Sequence, residues 1–410
     1  MNFNILSIID KKRNGLELTY EELEYAFNSY LKDNIKNYQM SALLMAICIN
    51  GMTDEEVFNL TDIFIKSGET LDLSSVEGVK VDKHSTGGVG DKTSLIVAPI
   101  VASLGIKVPK MSGRGLGITG GTIDKLESIP GFFVDLTKDE FLNELNDVGM
   151  VICSQTEKLV PLDKVIYSLR DVTSTVSSIP LIAVSIMSKK IASGADKILI
   201  DIKVGSGALL DNENDAKLLK DLMIRIGDRY NKEVRCVISD MNTPLGMCVG
   251  NALEVAEAEL ILEGAVKNNL YDLSVELASN MVSMGKGISI IEAREQVEEA
   301  IRSEAALDKF LQFVEYQHGR LADMEISEKT IEVVAEKAGT ITKIDAYLIG
   351  EVSCKLGAGK KNLDDKIDTT VGVRLEKQIG DTVEVGDILC TLFVNRVSKT
   401  FNIVNAFMIE

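Results

Sequence analysis

Apolar residues recur at helical spacing through the first 65 residues. Val57, Leu60 and Phe64 fall on one helix face. The stretch Gln39–Ile49 is almost wholly apolar and predicts a central helix. Thr19-Tyr20-Glu21-Glu22 and Thr53-Asp54-Glu55-Glu56 read as capping boxes, each N-cap threonine answered by a glutamate three positions on. Residues 67–75 read as a linker. The pattern then changes. Residues 79–83 alternate like a strand and run into Gly87-Gly88-Val89-Gly90. Residues 94–104 predict an apolar helix, and 106–111 a strand followed by glycines at 113, 115, 117, 120 and 121. Thr137 opens another capped helix. Strand, glycine loop and helix in alternation predict an α/β domain. Farther on, residues 171–193 read as helical with a break at Ile179-Pro180, and 197–204 as a buried strand. Residues 215–232, 251–266 and 288–313 read as helices, and 233–240 as a strand. From Ile331 onward short strands separated by glycine turns predict a small β-rich domain.

Length and charge narrow the possibilities. The chain has 410 residues, 45% of them hydrophobic, which accommodates two or three domains with real cores. Its 44 Lys+Arg against 62 Asp+Glu give a net charge of −18, which argues against a nucleic-acid-binding partner. Two histidines, His84 and His318, leave little room for a histidine metal site. Six cysteines without a C-x-x-C pair fit reduced thiols. The apolar run at the N-terminus is too short for a signal peptide, and no apolar stretch reaches the ~18–20 residues of a membrane span. A soluble cytoplasmic protein with no membrane partner is therefore expected. Between Lys80 and Lys125 the balance reverses, with seven Lys+Arg and three Asp.

The chemistry-bearing residues concentrate in that basic stretch and in two later segments. Lys83-His84-Ser85-Thr86-Gly87-Gly88-Val89-Gly90-Asp91-Lys92-Thr93-Ser94 lies between a strand and a helix. Glycines there let backbone N–H groups approach a ligand, and a helix start favours negative charge, so the segment reads as an oxyanion cradle. It is not a P-loop, because Asp91 separates Gly90 from Lys92. Gly115-x-Gly117-x-x-Gly120 matches a dinucleotide fingerprint, but the acidic residues about 20 positions on sit in a helix, not at a strand end. Tyr167-Ser168-Leu169-Arg170 and Ser185-Ile186-Met187-Ser188-Lys189 flank apolar helices, and Ser185 and Lys189 share a helix face.

The run Ser112-Gly113-Arg114-Gly115-Leu116-Gly117-Ile118-Thr119-Gly120-Gly121-Thr122-Ile123-Asp124-Lys125-Leu126-Glu127, together with 83–90, 169–173 and 185–190, closely resembles the pyrimidine-nucleoside and thymidine phosphorylases. The likeness extends over nearly the whole chain, including Pro244-Leu245-Gly246 and 249–254. It implies an α/β protein with an all-α lobe (1–65, completed by 163–193), an α/β phosphate-binding lobe (66–162 and 194–330) and a C-terminal β-rich α+β domain (331–410). The implied reaction is phosphorolysis of a pyrimidine nucleoside, with phosphate as co-substrate and no organic cofactor, in a cleft between lobes. By matching position, Lys83, Ser85, Ser94, Ser112 and Thr122 would hold phosphate. His84, Tyr167, Arg170, Ser185 and Lys189 would hold the nucleoside, with His84, Arg170 and Lys189 the catalytic donors. Lys110 matches the broad-specificity enzymes and hints at contact near a ribose 2′-OH. Gly90, Lys92, Leu245, Cys248 and Glu257 match a potassium site, although a lysine at 92 is a candidate to crowd or replace the ion. Ile118 stands where many relatives have histidine. The resemblance also implies a homodimer joined through the helical lobe. A phosphoribosyltransferase of related fold and a catalytically silent protein are the alternatives.

Overall fold

The computed structural model describes residues 3–115, 117–118, 120–360, 365–395 and 403–410, so Leu116 and Thr119 of the signature run lie outside the described residues. The chain opens with helices α1 (Ile5–Arg13), α2 (Tyr20–Leu31), α3 (Asn37–Asn50) and α4 (Asp54–Lys66). Next come β1 (Val81–Ser85), α5 (Thr93–Ser103), β2 (Val108–Ser112), α6 (Thr122–Leu126), α7 (Lys138–Asp147) and β3 (Met150–Ser154). Then follow α8 (Pro161–Asp171), α9 (Ile179–Ala192), β4 (Lys197–Val204), α10 (Glu213–Arg229) and β5 (Glu233–Asp240). After β6 (Cys248–Val249) the chain is helical through α11 (Asn251–Leu262), α12 (Asn269–Lys286), α13 (Ile290–Arg302) and α14 (Ala305–Tyr316). It ends with β7 (Thr330–Val334), β8 (Gly339–Ile344), α15 (Ala346–Leu356), β9 (Gly372–Leu375), β10 (Thr382–Val383), β11 (Ile388–Phe393) and β12 (Phe407–Ile409).

Contacts divide these elements into two units. The first comprises Met1–Ser75, Gln155–Ile198 and Glu213–Cys236. The second comprises Val76–Ser154, Leu199–Asn212 and Val237–Glu410, so the C-terminal strands group with the α/β core.

The first unit is helical. Thr19 and Thr53 form the expected capping boxes with Glu22 and Glu56. Glu56 does more than cap. Its carboxylate also accepts both 2.7 Å bonds from the buried Lys12 ammonium and a 2.8 Å bond from the Leu18 backbone N–H. One side chain thereby fastens α1, the α1–α2 loop and α4. The apolar helix α3 is buried on one side only, through Met40, Leu43, Leu44 and Ile47. Tyr38, Ala42, Met45 and Ile49 form an exposed stripe on its other face.

The second unit carries the sheet. β2 pairs parallel with β3, and the other three strands run in the order β1-β4-β5. A parallel bridge between Lys80 and Lys107 sets β1 beside β2. Both strands thus release their glycine loops at the same edge, the usual binding edge of such sheets. α5 is buried along nearly its whole length and packs against α12 and α14. The C-terminal part adds an antiparallel sheet, β6-β9-β11-β7, and a three-stranded sheet, β10-β8-β12.

Several elements differ from the expectation. The helical run predicted over 171–193 is instead α8, which begins at Pro161, and α9, separated by a turn. Proline suits the first turn of each, where its missing N–H costs nothing. The helix predicted over 288–313 splits at Glu304, whose left-handed backbone (φ 61°) ends the first run. α12 has no counterpart in the pattern reading, because buried Ser274, Ser279 and Ser283 interrupt its apolar face.

Removing one partner of a buried ion pair costs about 3–5 kcal/mol, because the other charge is left unpaired. Lys12→Ala should therefore lower the unfolding temperature of the helical unit, read by differential scanning calorimetry, whereas the exposed Lys217→Ala should leave it unchanged.

Candidate active site

The end of β1 and the loop after it build a closed set of charges. Lys83 is buried, and its ammonium donates to Thr93 Oγ1 at 2.5 Å and lies 3.8 Å from Asp201 Oδ2. Asp91 accepts from Ser85 Oγ at 2.5 Å, from Thr93 Oγ1 at 2.6 Å and from the Thr93 backbone N–H at 3.1 Å. Lys203, fully buried on β4, stands 2.9 Å from Asp201 and 3.9 Å from Asp91. Ser239 on β5 donates to Asp201 at 2.6 Å. Burial alone would raise the Asp91 pKa, but Lys203 and then Lys83 hold it well below the usual carboxylate value. Burial likewise opposes the Lys203 charge, and Asp201 and Asp91 more than restore it. Two lysines and two aspartates thus form a neutral block beneath the loop. Ser94 follows, buried in the first turn of α5. His84 is half-buried on β1.

The loop after β2 is organised by its own carboxylate. Asp124 Oδ2 accepts from the backbone N–H of Gly115 at 2.6 Å and of Gly121 at 3.2 Å. A Cβ at Gly121 would lie 2.2 Å from the Gly115 nitrogen, so only glycine fits there. This internal bonding uses amides that a dinucleotide would need. Ser112 ends β2 and Thr122 begins α6, both half-buried. Lys110 is buried and donates to the Lys83 carbonyl at 2.8 Å, so the hinted sugar contact begins from an ammonium bonded to β1. Ile118 packs into the apolar cluster of the C-terminal strands.

In the helical unit, α8 and α9 bring the second group together. Lys189 donates to Asp163 Oδ2 at 2.6 Å and to Ser185 Oγ at 3.3 Å, confirming the shared face of 185 and 189. Arg170 is buried. It spends three of its donors on carbonyls of Thr175 (3.2 Å), Val176 (2.7 Å) and Leu181 (3.0 Å), which shape the α8–α9 turn. Its guanidinium lies over the Tyr167 ring at 5.9 Å. Burial lowers the Arg170 pKa, while Asp163 opposes the shift. Asp163 is absent from the sequence reading. The signal for it is the spacing 163, 167, 170, which is one face of a helix once α8 is seen to start at Pro161. Asp201 and Lys203 are also new. Their signal is the pair of charges two apart in an otherwise apolar strand.

The residues matched to potassium are brought together, with one change. Lys92 is buried, and its ammonium donates to the carbonyls of Leu245 (3.0 Å) and Cys248 (2.7 Å) and to Glu257 Oε2 (2.6 Å). A nitrogen cation already stands within the oxygen set, so these residues do not fit a potassium ion in addition. Burial beside Glu257 pushes the Cys248 thiol up to about 12, leaving it a neutral side chain behind a working carbonyl.

A model described as the glycosyl transferase family a/b domain matches residues 77–307, and its helical bundle domain matches 6–68. Residues 340–408 match the pyrimidine nucleoside phosphorylase C-terminal domain. The chain is 49% identical to the pyrimidine-nucleoside phosphorylase of Bacillus subtilis (strain 168), over 96% of this chain and 92% of that one. It is 47% identical to the pyrimidine-nucleoside phosphorylase of Geobacillus stearothermophilus over the same shares. Among solved structures it resembles the anthranilate phosphoribosyltransferase of Thermus thermophilus, with a TM-score of 0.61 over 76% of this chain and 99% of that one. At 16% identity that likeness speaks for the fold alone. Helical bundle, α/β domain and basic glycine loops together define a pentosyl-transferring glycosyltransferase. Within that class, the chain belongs to the pyrimidine-nucleoside phosphorylase family.

The charge block gives a pH-dependent prediction. Asp91→Asn leaves Lys83 and Lys203 with one carboxylate between them and should destabilise the larger unit by about 3–5 kcal/mol near neutral pH. Because the folded pKa of Asp91 is depressed, its contribution is complete above the ordinary value of 3.8 and fades only as pH falls through the lower folded value. Thermal unfolding of wild type and variant from pH 7 to 4 should show an undiminished gap.

Proposed function

We propose that this protein catalyses the reversible phosphorolysis of thymidine, uridine and deoxyuridine to the free base and the pentose 1-phosphate. The observation that carries this reading is 49% identity over 96% of the chain to a phosphorylase, and this sequence carries the lysine, arginine and hydroxyl donors such a reaction needs. A phosphate oxygen forms the new bond to C1′ while the C1′–N bond breaks and its electron pair leaves with the base. The transition state resembles an oxocarbenium ion between two anions, so the chain must supply positive charge to each. Lys83, Ser85, Ser94, Ser112 and Thr122 take the phosphate side. Arg170, Lys189 and His84 stabilise charge on the departing base, and Tyr167 and Ser185 hold the nucleoside. Asp163 holds the Lys189 ammonium in place, and Lys83 is held by Thr93 and Asp201. The reaction balances without a redox or organic cofactor. A thymidine-specific enzyme is the second reading, and the buried Lys110 favours the broader one.

We also assign a homodimer through the helical unit. The exposed stripe Tyr38, Ala42, Met45 and Ile49 supports it, since an apolar face of that length calls for a covering surface. The reduced cysteines suit a reducing cytoplasm, and no helix of the described residues is long and apolar enough to cross a membrane. Salvage of pyrimidine bases is the corresponding role.

The decisive assay mixes the protein with thymidine or uridine and phosphate. It should release one base per pentose 1-phosphate, and none without phosphate. No release from either nucleoside refutes the proposal. A uridine rate far below the thymidine rate favours the thymidine-specific reading. Lys189→Met should cut turnover ~10²–10³-fold. Ile49→Asp should shift the sedimenting species from dimer to monomer, and a wild-type protein that already sediments as a monomer refutes the assembly.

A further inference from the structure

We propose that the Lys92 ammonium is a built-in monovalent cation, filling the oxygen cage of Leu245, Cys248 and Glu257 so that the loop after β1 is held without a bound alkali metal ion.

Three observations carry this. The first is stoichiometric. An ammonium has three N–H donors, and Lys92 has three acceptors at 2.6, 2.7 and 3.0 Å, so nitrogen and cage saturate each other. The second is charge. Glu257 is buried, and its remaining bonds come from neutral donors, the backbone N–H of Met247 and Cys248 and the Asn268 amide. Lys92 is the cation paired with it. A metal ion added beside the ammonium would meet a like charge inside a low-dielectric cage, where repulsion is strong. The third is space. A Cβ at Gly90 would lie 2.7 Å from the Leu245 carbonyl, and one at Gly246 would lie 2.5 Å from Glu257 Oε1. The backbone at Gly90 and Gly246 therefore closes against two of the oxygen groups that hold the ammonium.

The consequence reaches the neighbouring loop. Lys92 is bonded to a turn more than 150 positions away, and Asp91 and Thr93 on either side of it organise Ser85 and Lys83. Lys92 is therefore a positioning residue for that loop, and it exchanges an ion-binding equilibrium for a covalent tether. Shortening the side chain would leave two carbonyls and a carboxylate facing an empty volume, a hard-oxygen set that suits an alkali cation.

The test compares potassium, sodium and choline chloride at equal ionic strength. Wild type should show the same unfolding temperature and the same turnover in all three. Lys92→Thr should unfold on the order of 5 °C lower in choline, lose about tenfold in kcat/KM, and regain both saturably as potassium chloride replaces choline. Lys92→Met, which fills the cage with an apolar chain, should be destabilised and gain nothing from potassium. A saturable rise of the wild-type unfolding temperature or rate with potassium would overturn the proposal. So would a Lys92→Thr variant indifferent to potassium, or equal rescue of Lys92→Met. If neither variant folds, the wild-type titration still decides. Because unfolding temperature reads the cage without substrate, the result stands apart from the phosphorolysis assay.

Discussion

A buried ammonium is tolerable only with a carboxylate beside it and its donors satisfied, and this protein buries many. Lys12 meets Glu56, Lys83 and Lys203 meet Asp201 and Asp91, Lys92 meets Glu257, and Lys125 meets Glu254. Such pairs add little net stability compared with apolar packing. What they add is geometry, since each is satisfied in one arrangement of the backbone. The β1 loop shows this most directly. Three consecutive side chains, Asp91, Lys92 and Thr93, bond to Ser85, to the 245–257 region and to Lys83. A glycine-rich loop has wide conformational freedom, and here that freedom is removed by charge.

The same constraint explains how so acidic a chain can present an anion site. The net charge of −18 resides mostly on exposed carboxylates, whose fields salt screens within about 8–10 Å. Inside, Lys83 and Lys203 are matched by Asp201 and Asp91, so the block beneath the first loop is neutral. Affinity for a small anion then depends on the orientation of hydroxyl, backbone and lysine donors. Pairing Asp91 with Lys203 keeps a carboxylate next to Ser85 from repelling such a ligand.

Local features were legible in the sequence. The threonine capping boxes, the glycine loops after β1 and β2, and strands β4 and β5 need only neighbours within a few residues, and the structure reproduces them. The family likeness pointed to Tyr167, Arg170, Ser185 and Lys189, and these lie on α8 and α9. Bonds between residues distant in sequence were not legible from local pattern. The bond from Lys92 to Glu257 spans 165 positions, and only the family likeness put the two residues in one group. Asp163 was hidden by placing the start of α8 about ten residues late. α12 was hidden because its buried face carries serines, two of which return their hydroxyls to backbone carbonyls (Ser279 to Val275, Ser283 to Ile288), so a polar letter stands at a core position.

The residue that seemed most out of place in the sequence shows why a pattern departure is best judged by its surroundings. At a position matched to a metal ligand, a lysine reads as a candidate to crowd or replace the ion. In the folded chain its ammonium takes the ion's charge, approximate size and oxygen partners, while burial that would lower its pKa is outweighed by Glu257 and Glu254. The cage surrounding it is complete: Glu257 keeps its backbone donors, Asn268 keeps Glu257 aligned, and Gly90 and Gly246 keep the space clear. Losing an ion site would leave those partners without a common centre. The convergence of the Leu245 and Cys248 carbonyls and the Glu257 carboxylate on Lys92 Nζ supports the proposal that one cation stands in for another.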